Sequence, residues 1–405
     1  MSIRDKMRPG FASLQGGLFS RVSKADVGGG FAEMQKRGVT MMSWADPFFP
    51  DPSTPQPIIN RAVELLSSGR MSHYTMPIGN AQLKECFARK WQERTGMKIE
   101  AQRNIIITPG SDSGLLYAMM PFIEPGDEVL VPEPSYPSNF LNPVLLGGKT
   151  VSVPLRKENG FHLIPEDFEN AITPRTKMVL FTNPNNPTTT VFSRDELTAL
   201  SEIIVRHDLI CVCDQAFEDS VFDGREMISI ASLPGMWERT LTVCSISKGM
   251  GLSGFRVGYI VSNDSVMDVL YGGAVNVLGA TGTLQQEAAI AAMEDTSFVE
   301  GYIREYDYRR KFAFEHFNAV DGVKMLLPEA TFLCWVDVSA LGDSTEIMQY
   351  LVEEALVACN DGKPYGDSGK GHLRFVLGCC GSRSDYESAI IRACKALSTY
   401  TKTVR

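Results

Sequence analysis

Nowhere does the chain run to the about twenty consecutive apolar residues that a membrane-spanning helix needs. The N-terminus, with Arg4, Asp5, Lys6 and Arg8 followed by glycines, lacks the apolar stretch of a signal peptide, so cytoplasmic residence is the expectation. There is no long Lys/Arg run either, and the formal net charge is -9, which argues against nucleic acid or an anionic membrane as the main partner. A small molecule is the better expectation. Histidine is scarce, at five, and the nine cysteines are irregularly spaced. Neither Cys211 with Cys213 nor the adjacent Cys379 and Cys380 has metal-ligand spacing, so no structural metal site is expected. Cysteines inside apolar runs such as Leu209-Ile-Cys-Val-Cys-Asp214 read as reduced core residues rather than a disulfide framework. Internal repeats and low-complexity tracts are absent too.

What the sequence has is room for a large interior. Its 405 residues, 44% hydrophobic and 21% charged, fit a soluble globular protein with a large domain and a smaller one. From about residue 100 to 265, β-rich runs alternate with helix-like stretches, the pattern of an α/β fold. Seven strands are predicted: Asn104–Thr108, Glu128–Pro132, Thr150–Val153, Lys177–Phe181, Leu209–Cys213, Thr240–Cys244 and Val257–Val261. Being continuously apolar rather than alternating, they predict a mostly parallel sheet covered by helices on both faces. Residues 283 to 318 read as helical throughout. Strands then return at Val323–Leu327, Thr331–Val336 and Leu373–Leu377, in a smaller α+β domain that the N-terminal residues join. The expected division is residues 47–290 for the large domain, and 1–46 with 291–405 for the small one. Pro47 to Pro57 reads as a loop.

Four predicted strands run into polar turns, and each turn carries residues suited to one ligand. Ligands of open α/β sheets bind beyond the carboxyl ends of the strands, so these turns should meet. The first, Thr108-Pro-Gly-Ser-Asp-Ser-Gly114, opens a helix: Gly110 permits close approach and Ser111 adds a hydroxyl, which suits an anion such as phosphate. A plain Ser/Asp helix cap is the bland alternative. Asp112 stands where a serine-hydrolase elbow would have its nucleophile, which removes the hydrolase reading. The second turn, Asn183-Pro-Asn-Asn-Pro-Thr188, has two Asn-Pro steps that fix a side-chain amide at the crevice, a stiff loop being the alternative. In the third, Asp214 follows a wholly apolar strand, costly unless a cation such as a protonated pyridine nitrogen meets it or it caps the next helix. The fourth, Cys244-Ser-Ile-Ser-Lys-Gly-Met-Gly-Leu-Ser-Gly-Phe-Arg256, offers Lys248 as a desolvated amine able to form a Schiff base. Ser245, Ser247 and Arg256 beside it suit a phosphate.

On these residues the chain resembles the class I/II aminotransferases of the fold-type I pyridoxal-phosphate enzymes, over nearly its full length. Asn183–Thr188 is similar to that family's Asn-Pro-x-Asn-Pro-Thr-Gly motif, and Ser245-Ile-Ser-Lys248 with Arg256 to its Schiff-base segment. The resemblance implies transfer of an amino group from an L-amino acid to a 2-oxo acid, with pyridoxal 5'-phosphate held on Lys248 as a Schiff base. It implies that Lys248 is nucleophile, then acid and base, and that Asp214 pairs with the pyridine nitrogen. By the same resemblance Asn186 bonds the ring's 3-oxygen, and Gly110, Ser111, Asp112, Ser245, Ser247 and Arg256 bind or flank the phosphate. Tyr136 stacks on the ring, and Arg374, in His372-Leu-Arg-Phe375, grips the substrate carboxylate bidentately with Asn186 and Ala45 nearby. Tyr74 matches a tyrosine that reaches across a homodimer to the partner's phosphate, implying shared sites.

The chain departs from the family at three places. Phe217 stands where a tyrosine usually bonds the 3-oxygen, so the resting Schiff base should stay protonated to a higher pH than in relatives with the phenol. A spectroscopic pH titration of the wild type against Phe217→Tyr checks this; coincident curves would dispose of it. Thr189 replaces the motif's glycine, and the substrate loop reads Met42-Ser-Trp-Ala-Asp46, where Trp44 either lines the side-chain pocket with Ala45 or packs as an ordinary buried tryptophan. The nearest rival function, a carbon-sulfur β-lyase, shares fold and cofactor; a non-catalytic effector domain binding the cofactor is a third reading, disfavoured by Lys248.

Overall fold

The computed structural model describes Met7, residues 29–47 and residues 54–400. The expectation for the first residues of the chain therefore falls largely outside the described residues, as does most of the predicted Pro47–Pro57 loop. Its end is not loop: Pro55 caps the helix Gln56–Ser68 and Pro57 lies in that helix's first turn, where a missing N–H costs nothing.

Thirteen strands occur among the described residues. β1 (Thr40–Met41) pairs with β11 (Val357–Ala358). β2 (Ile105–Thr108), β3 (Glu128–Glu133), β4 (Lys149–Pro154), β5 (Thr176–Thr182), β6 (Ile210–Asp214), β7 (Thr240–Ser245) and β8 (Gly258–Val261) build one seven-stranded sheet in the order β2-β8-β7-β6-β5-β3-β4. All seven match predicted runs. Every pairing is parallel except those of β8, antiparallel to both β2 and β7. Successive side chains go to opposite faces: Met178, Leu180, Val212 and Val243 enter one core, Val179, Phe181, Cys211 and Cys213 another. Coverage of both faces fails only at the edge strand β4, whose Lys149, Ser152 and Pro154 are exposed, a composition that blunts edge-to-edge pairing.

Residues 283 to 318 form two helices, Thr283–Glu294 and Ser297–Asn318, rather than one. Asp295 turns extended between them, and its carboxylate accepts from the Ser297 amide at 3.0 Å, a local polar contact that competes with the helix. β9 (Lys324–Met325), β10 (Leu333–Asp337), β12 (Asn360–Asp361) and β13 (His372–Val376) form an antiparallel sheet in the order β12-β13-β10-β9. Its core gathers Met42, Phe317, Val336, Phe375, Ile390 and Leu397.

The two sheets are strapped together at His162. Its ring sits between Glu196, 3.0 Å away on the helix Arg194–Arg206, and Glu329, 3.4 Å away ahead of β10. Hydrogen bonds to Glu196 and Glu329 raise the imidazole from 6.5 to about 9. A raised folded-state value contributes stability that is fully present below pH 6.5 and is lost as pH climbs through 9. His162→Gln is therefore expected to cost about 1–2 kcal/mol at pH 6 and almost nothing at pH 10. Denaturant melts of both proteins at the two pH values check it.

Candidate active site

The carboxyl ends of β2, β5, β6 and β7 carry the four turns, as the sequence implies. At the first, Thr108 donates its hydroxyl to the Gly110 carbonyl at 2.8 Å, and the helix Ser111–Met119 begins at once, four residues earlier than its apolar run. No side chain caps it, so its first amides remain open to an anion, and the plain-cap alternative is not what forms. Gly110 has φ +85°, and a Cβ there would fall 2.2 Å from a guanidinium nitrogen of Arg256. Only glycine lets Arg256 lie over this helix end. Gly258, which opens β8, makes the complementary approach: a Cβ on it would come 2.7 Å from the Ser111 amide nitrogen. Asp112 is exposed in the helix's first turn.

In the second turn both Asn-Pro peptide bonds are cis. The three asparagines divide their work. Asn183 accepts from the Phe192 amide at 3.0 Å, and Asn185 donates to Pro134 O and the Thr188 hydroxyl, so both hold the loop. Asn186 alone faces Arg374, whose NH1 donates to its side-chain oxygen at 3.1 Å. Thr189 has φ +67°, the left-handed conformation that suits the glycine it replaces.

Asp214 ends β6 fully buried. It accepts from the Ala216 amide at 3.0 Å and the Thr182 hydroxyl at 3.4 Å, and has no ion-pair partner among the described residues. Burial lifts its carboxyl from 3.8 to about 7, with only these hydrogen bonds and Lys248 opposing. Lys248 follows β7, partly buried with its amine enclosed; the ammonium donates to the Ala45 carbonyl and forms no ion pair among the described residues. Burial lowers it from 10.5 to about 8, against the pull of Asp112 and Asp46. Ser245 accepts from the Ser247 amide at 3.0 Å, while the buried Ser247 hydroxyl has no hydrogen-bond partner among the described residues. Tyr136 is partly buried, and burial together with Asp112 keeps its phenol neutral well above the usual range.

Arg374 comes from the other sheet, on β13. Its Nε and NH2 donate to Asn360 at 3.2 and 2.7 Å, NH2 also to the Ser43 carbonyl at 3.0 Å, and the Tyr365 ring lies 5.2 Å below. With NH1 on Asn186, one of five N–H groups remains uncommitted. The bidentate grip on a carboxylate therefore requires one present partner to give way. Asn360 and Tyr365 were not legible in the sequence, for the segment Cys359–Gly366 has no recognisable pattern, while the Ser43 carbonyl belongs to the substrate loop read from it.

The three remaining residues sit in different settings. Tyr74 is 99% exposed. Trp44 is 54% exposed, so it is not a buried packing residue, whereas Ala45 contributes its carbonyl to Lys248. Phe217 is buried against Phe332, ring centroids 5.5 Å apart, in an apolar cluster that Ala45 borders.

The family description "Aminotransferase class I and II" matches residues 40–392. An aromatic-amino-acid aminotransferase of Thermococcus litoralis is 32% identical over 330 residues, 80% of this chain and 84% of its own length. The arginine–pyruvate transaminase of Pseudomonas aeruginosa is 31% identical, over 85% of this chain and 86% of its own. Among solved structures, the Thermus thermophilus aspartate aminotransferase with maleate superposes with a TM-score of 0.85 at 27% identity, covering 98% of this chain and 99% of that one.

Proposed function

This chain belongs to the class I and II aminotransferases, pyridoxal-phosphate enzymes that exchange amino groups between amino acids and 2-oxo acids, and from that premise we propose the part each residue plays. The observation that carries the reading is a pair: a lysine amine held at about 8 and a buried carboxyl held at about 7, at the ends of neighbouring strands, each lacking an ion partner among the described residues. A buried carboxyl with no cation is a site prepared for one. The uncapped helix end, the Gly110 cradle under Arg256 and the unpartnered Ser247 hydroxyl likewise fit a phosphate and its ester.

Pyridoxal phosphate, when bound, supplies an aldehyde that condenses with amines and a ring that draws electrons from the substrate's α-carbon. Lys248 would hold it covalently and, once released by the incoming amine, carry the α-proton. Asp214 would hold the ring nitrogen's proton by its charge. The amides at Gly110 and Ser111, with Ser245, Ser247 and Arg256, would bind the phosphate, Asp112 at its flank; Tyr136 would lie along the ring face. Asn186 would donate its amide N–H to the ring oxygen, its own oxygen being taken by Arg374. Arg374 would orient the substrate carboxylate, with Ala45 beside the substrate. The relatives named above all transfer amino groups, which favours transfer over elimination. Borohydride treatment of the protein soaked in pyridoxal phosphate should fix the cofactor to the peptide bearing Lys248; label on another lysine, or none, would overturn the assignment.

We also read the chain as two domains, 47–290 and 1–46 with 291–405, supported by a core drawn from Met42 and residues after 312. Nine free cysteines favour a reducing compartment such as the cytoplasm. No helix among the described residues is long and apolar enough to cross a membrane. A homodimer with shared sites is supported by the exposed Tyr74, together with Met76 at 67% and Val63 at 55% exposure. Mixing inactive Tyr74→Ala with inactive Lys248→Ala should then regain activity in hybrid dimers, which carry one site bearing both native residues; a mixture no more active than its parents would exclude sharing through Tyr74.

A further inference from the structure

Behind the turn that bears Lys248 the protein sinks four charges. Lys90 and Arg94, one helical turn apart on the helix Ala81–Thr95, meet Glu218 and Asp219, which follow Asp214 along the chain. The Lys90 ammonium lies 2.8 Å from both carboxylates, and Arg94 spans the same two, reaching Asp219 at 2.9 Å. Their side chains are between 3% and 20% exposed. Removing two cations and two anions from water is expensive, and well-packed apolar side chains commonly stabilise such a place as well or better. The two carboxylates divide their work, and the contacts of Asp219 give it a more specific role than stability.

Glu218 accepts from the Tyr259 hydroxyl of β8 at 3.3 Å and from the Cys244 thiol of β7 at 3.7 Å, so it ties down the strands on either side of the Lys248 turn. Asp219 touches the turn itself. Gly249, the residue after Lys248, lies so close that a Cβ on it would fall 2.3 Å from the Asp219 Cβ and 2.7 Å from its carboxylate. The Asp219 side chain thus fills the space where residue 249 would otherwise carry one. We infer that Asp219, clamped by Lys90 and Arg94, is a positioning residue for Lys248, seating the Gly249 backbone so that the amine stays in the crevice beside Asp214. This rests on reading Lys248 as the reactive amine. Burial works against the Asp219 charge, but Lys90 and Arg94 outweigh it and hold the carboxyl below its ordinary value. The charged groups that act most on Lys248 itself are Asp112, Arg374, Asp46 and Arg256, with Asp214 beside it in the crevice, none of them in the cluster.

The test compares Asp219→Asn, Gly249→Ala and Glu218→Gln with the wild type, first without cofactor by pH-dependent labelling of Lys248 with an amine reagent, then loaded. A loosened turn exposes the amine, so in Asp219→Asn the labelling midpoint should rise from near 8 toward the ordinary 10.5. Loaded enzyme should lose roughly 10- to 100-fold in kcat while the KM for the amino donor moves less than about threefold, since Arg374 is untouched. Gly249→Ala keeps all four charges and should move both readouts the same way, which decides the matter if Asp219→Asn does not fold. Glu218→Gln removes an equal charge without touching Gly249 and should lower the melting temperature but leave the midpoint in place. Unchanged midpoints in Asp219→Asn or Gly249→Ala, or an equal shift in Glu218→Gln, would overturn the positioning role alone. Failure of the wild type to take the cofactor on Lys248 would overturn both readings.

Discussion

Lys248→Ala should give a folded protein that still binds pyridoxal phosphate but turns over roughly 10⁴-fold more slowly or worse. Two losses combine. The amine is the covalent anchor, and it is also the acid and base that moves the substrate's α-proton, a task worth about 10²–10⁴-fold by itself. The local environment shows what is being removed: an ordinary lysine at 10.5 leaves about one amine in a thousand uncharged at pH 7.5, whereas one held at about 8 leaves roughly a quarter free to attack. Amino-group exchange between a panel of amino donors and 2-oxo acids, with borohydride fixation as the second readout, measures both losses. Activity within tenfold of the wild type would remove the mechanism.

Asp214→Asn is expected to separate stability from activity. In the cofactor-free protein this carboxyl is held at about 7 against 3.8 when unfolded, because burial disfavours its charge. Between those values the folded state keeps a proton that the unfolded state releases, so stability declines as pH rises from 4 to 7 and then levels off. Asparagine buries no charge. The variant should therefore gain on the order of a few kcal/mol over the wild type at pH 8, roughly 5 °C or more in melting temperature, and nothing at pH 4. Turnover should meanwhile fall roughly 10³-fold, because an amide cannot hold the ring nitrogen's proton. Melts of both cofactor-free proteins across this range decide it: a difference indifferent to pH would show that the carboxyl is not strained by burial. The native residue thus costs stability where the chemistry needs a charge.

The large sheet was legible because its strands are unbroken apolar runs, which burial on both faces requires, and because glycine and proline punctuate their ends. The small sheet was less so. β9 and β12 have only two residues each, too few to show a period of two, and their place is set by pairing with β10 and β13. The gap between the helices ending at Glu294 and beginning at Ser297 escaped notice because it is made by an aspartate capping its own neighbour, without glycine or proline. In the site, the residues on strand-ending turns could be found, whereas Asn360 and Tyr365 could not: they act by holding Arg374, through contacts made only when β12 and β13 pair. Lys90, Arg94, Glu218 and Asp219 look like a solvated face in sequence, and only folding reveals that they are enclosed. Tyr74 carries a recognisable motif yet stands exposed, which follows if its partner is a second copy.

Lys248 and Asp214 ride on the seven-stranded sheet while Arg374 rides on the four-stranded one, so the reach from amine to guanidinium is set across the apolar seam where Trp335 and Tyr365 join the core of β5 and β6 and Phe217 meets Phe332. A shift between the sheets would lengthen or shorten the gap a substrate must bridge, and it would have to repack that shared seam to do so. Partial loosening of that seam by heat or denaturant should accordingly be felt first as weaker grip on the amino acid, while the protein stays folded and keeps its cofactor.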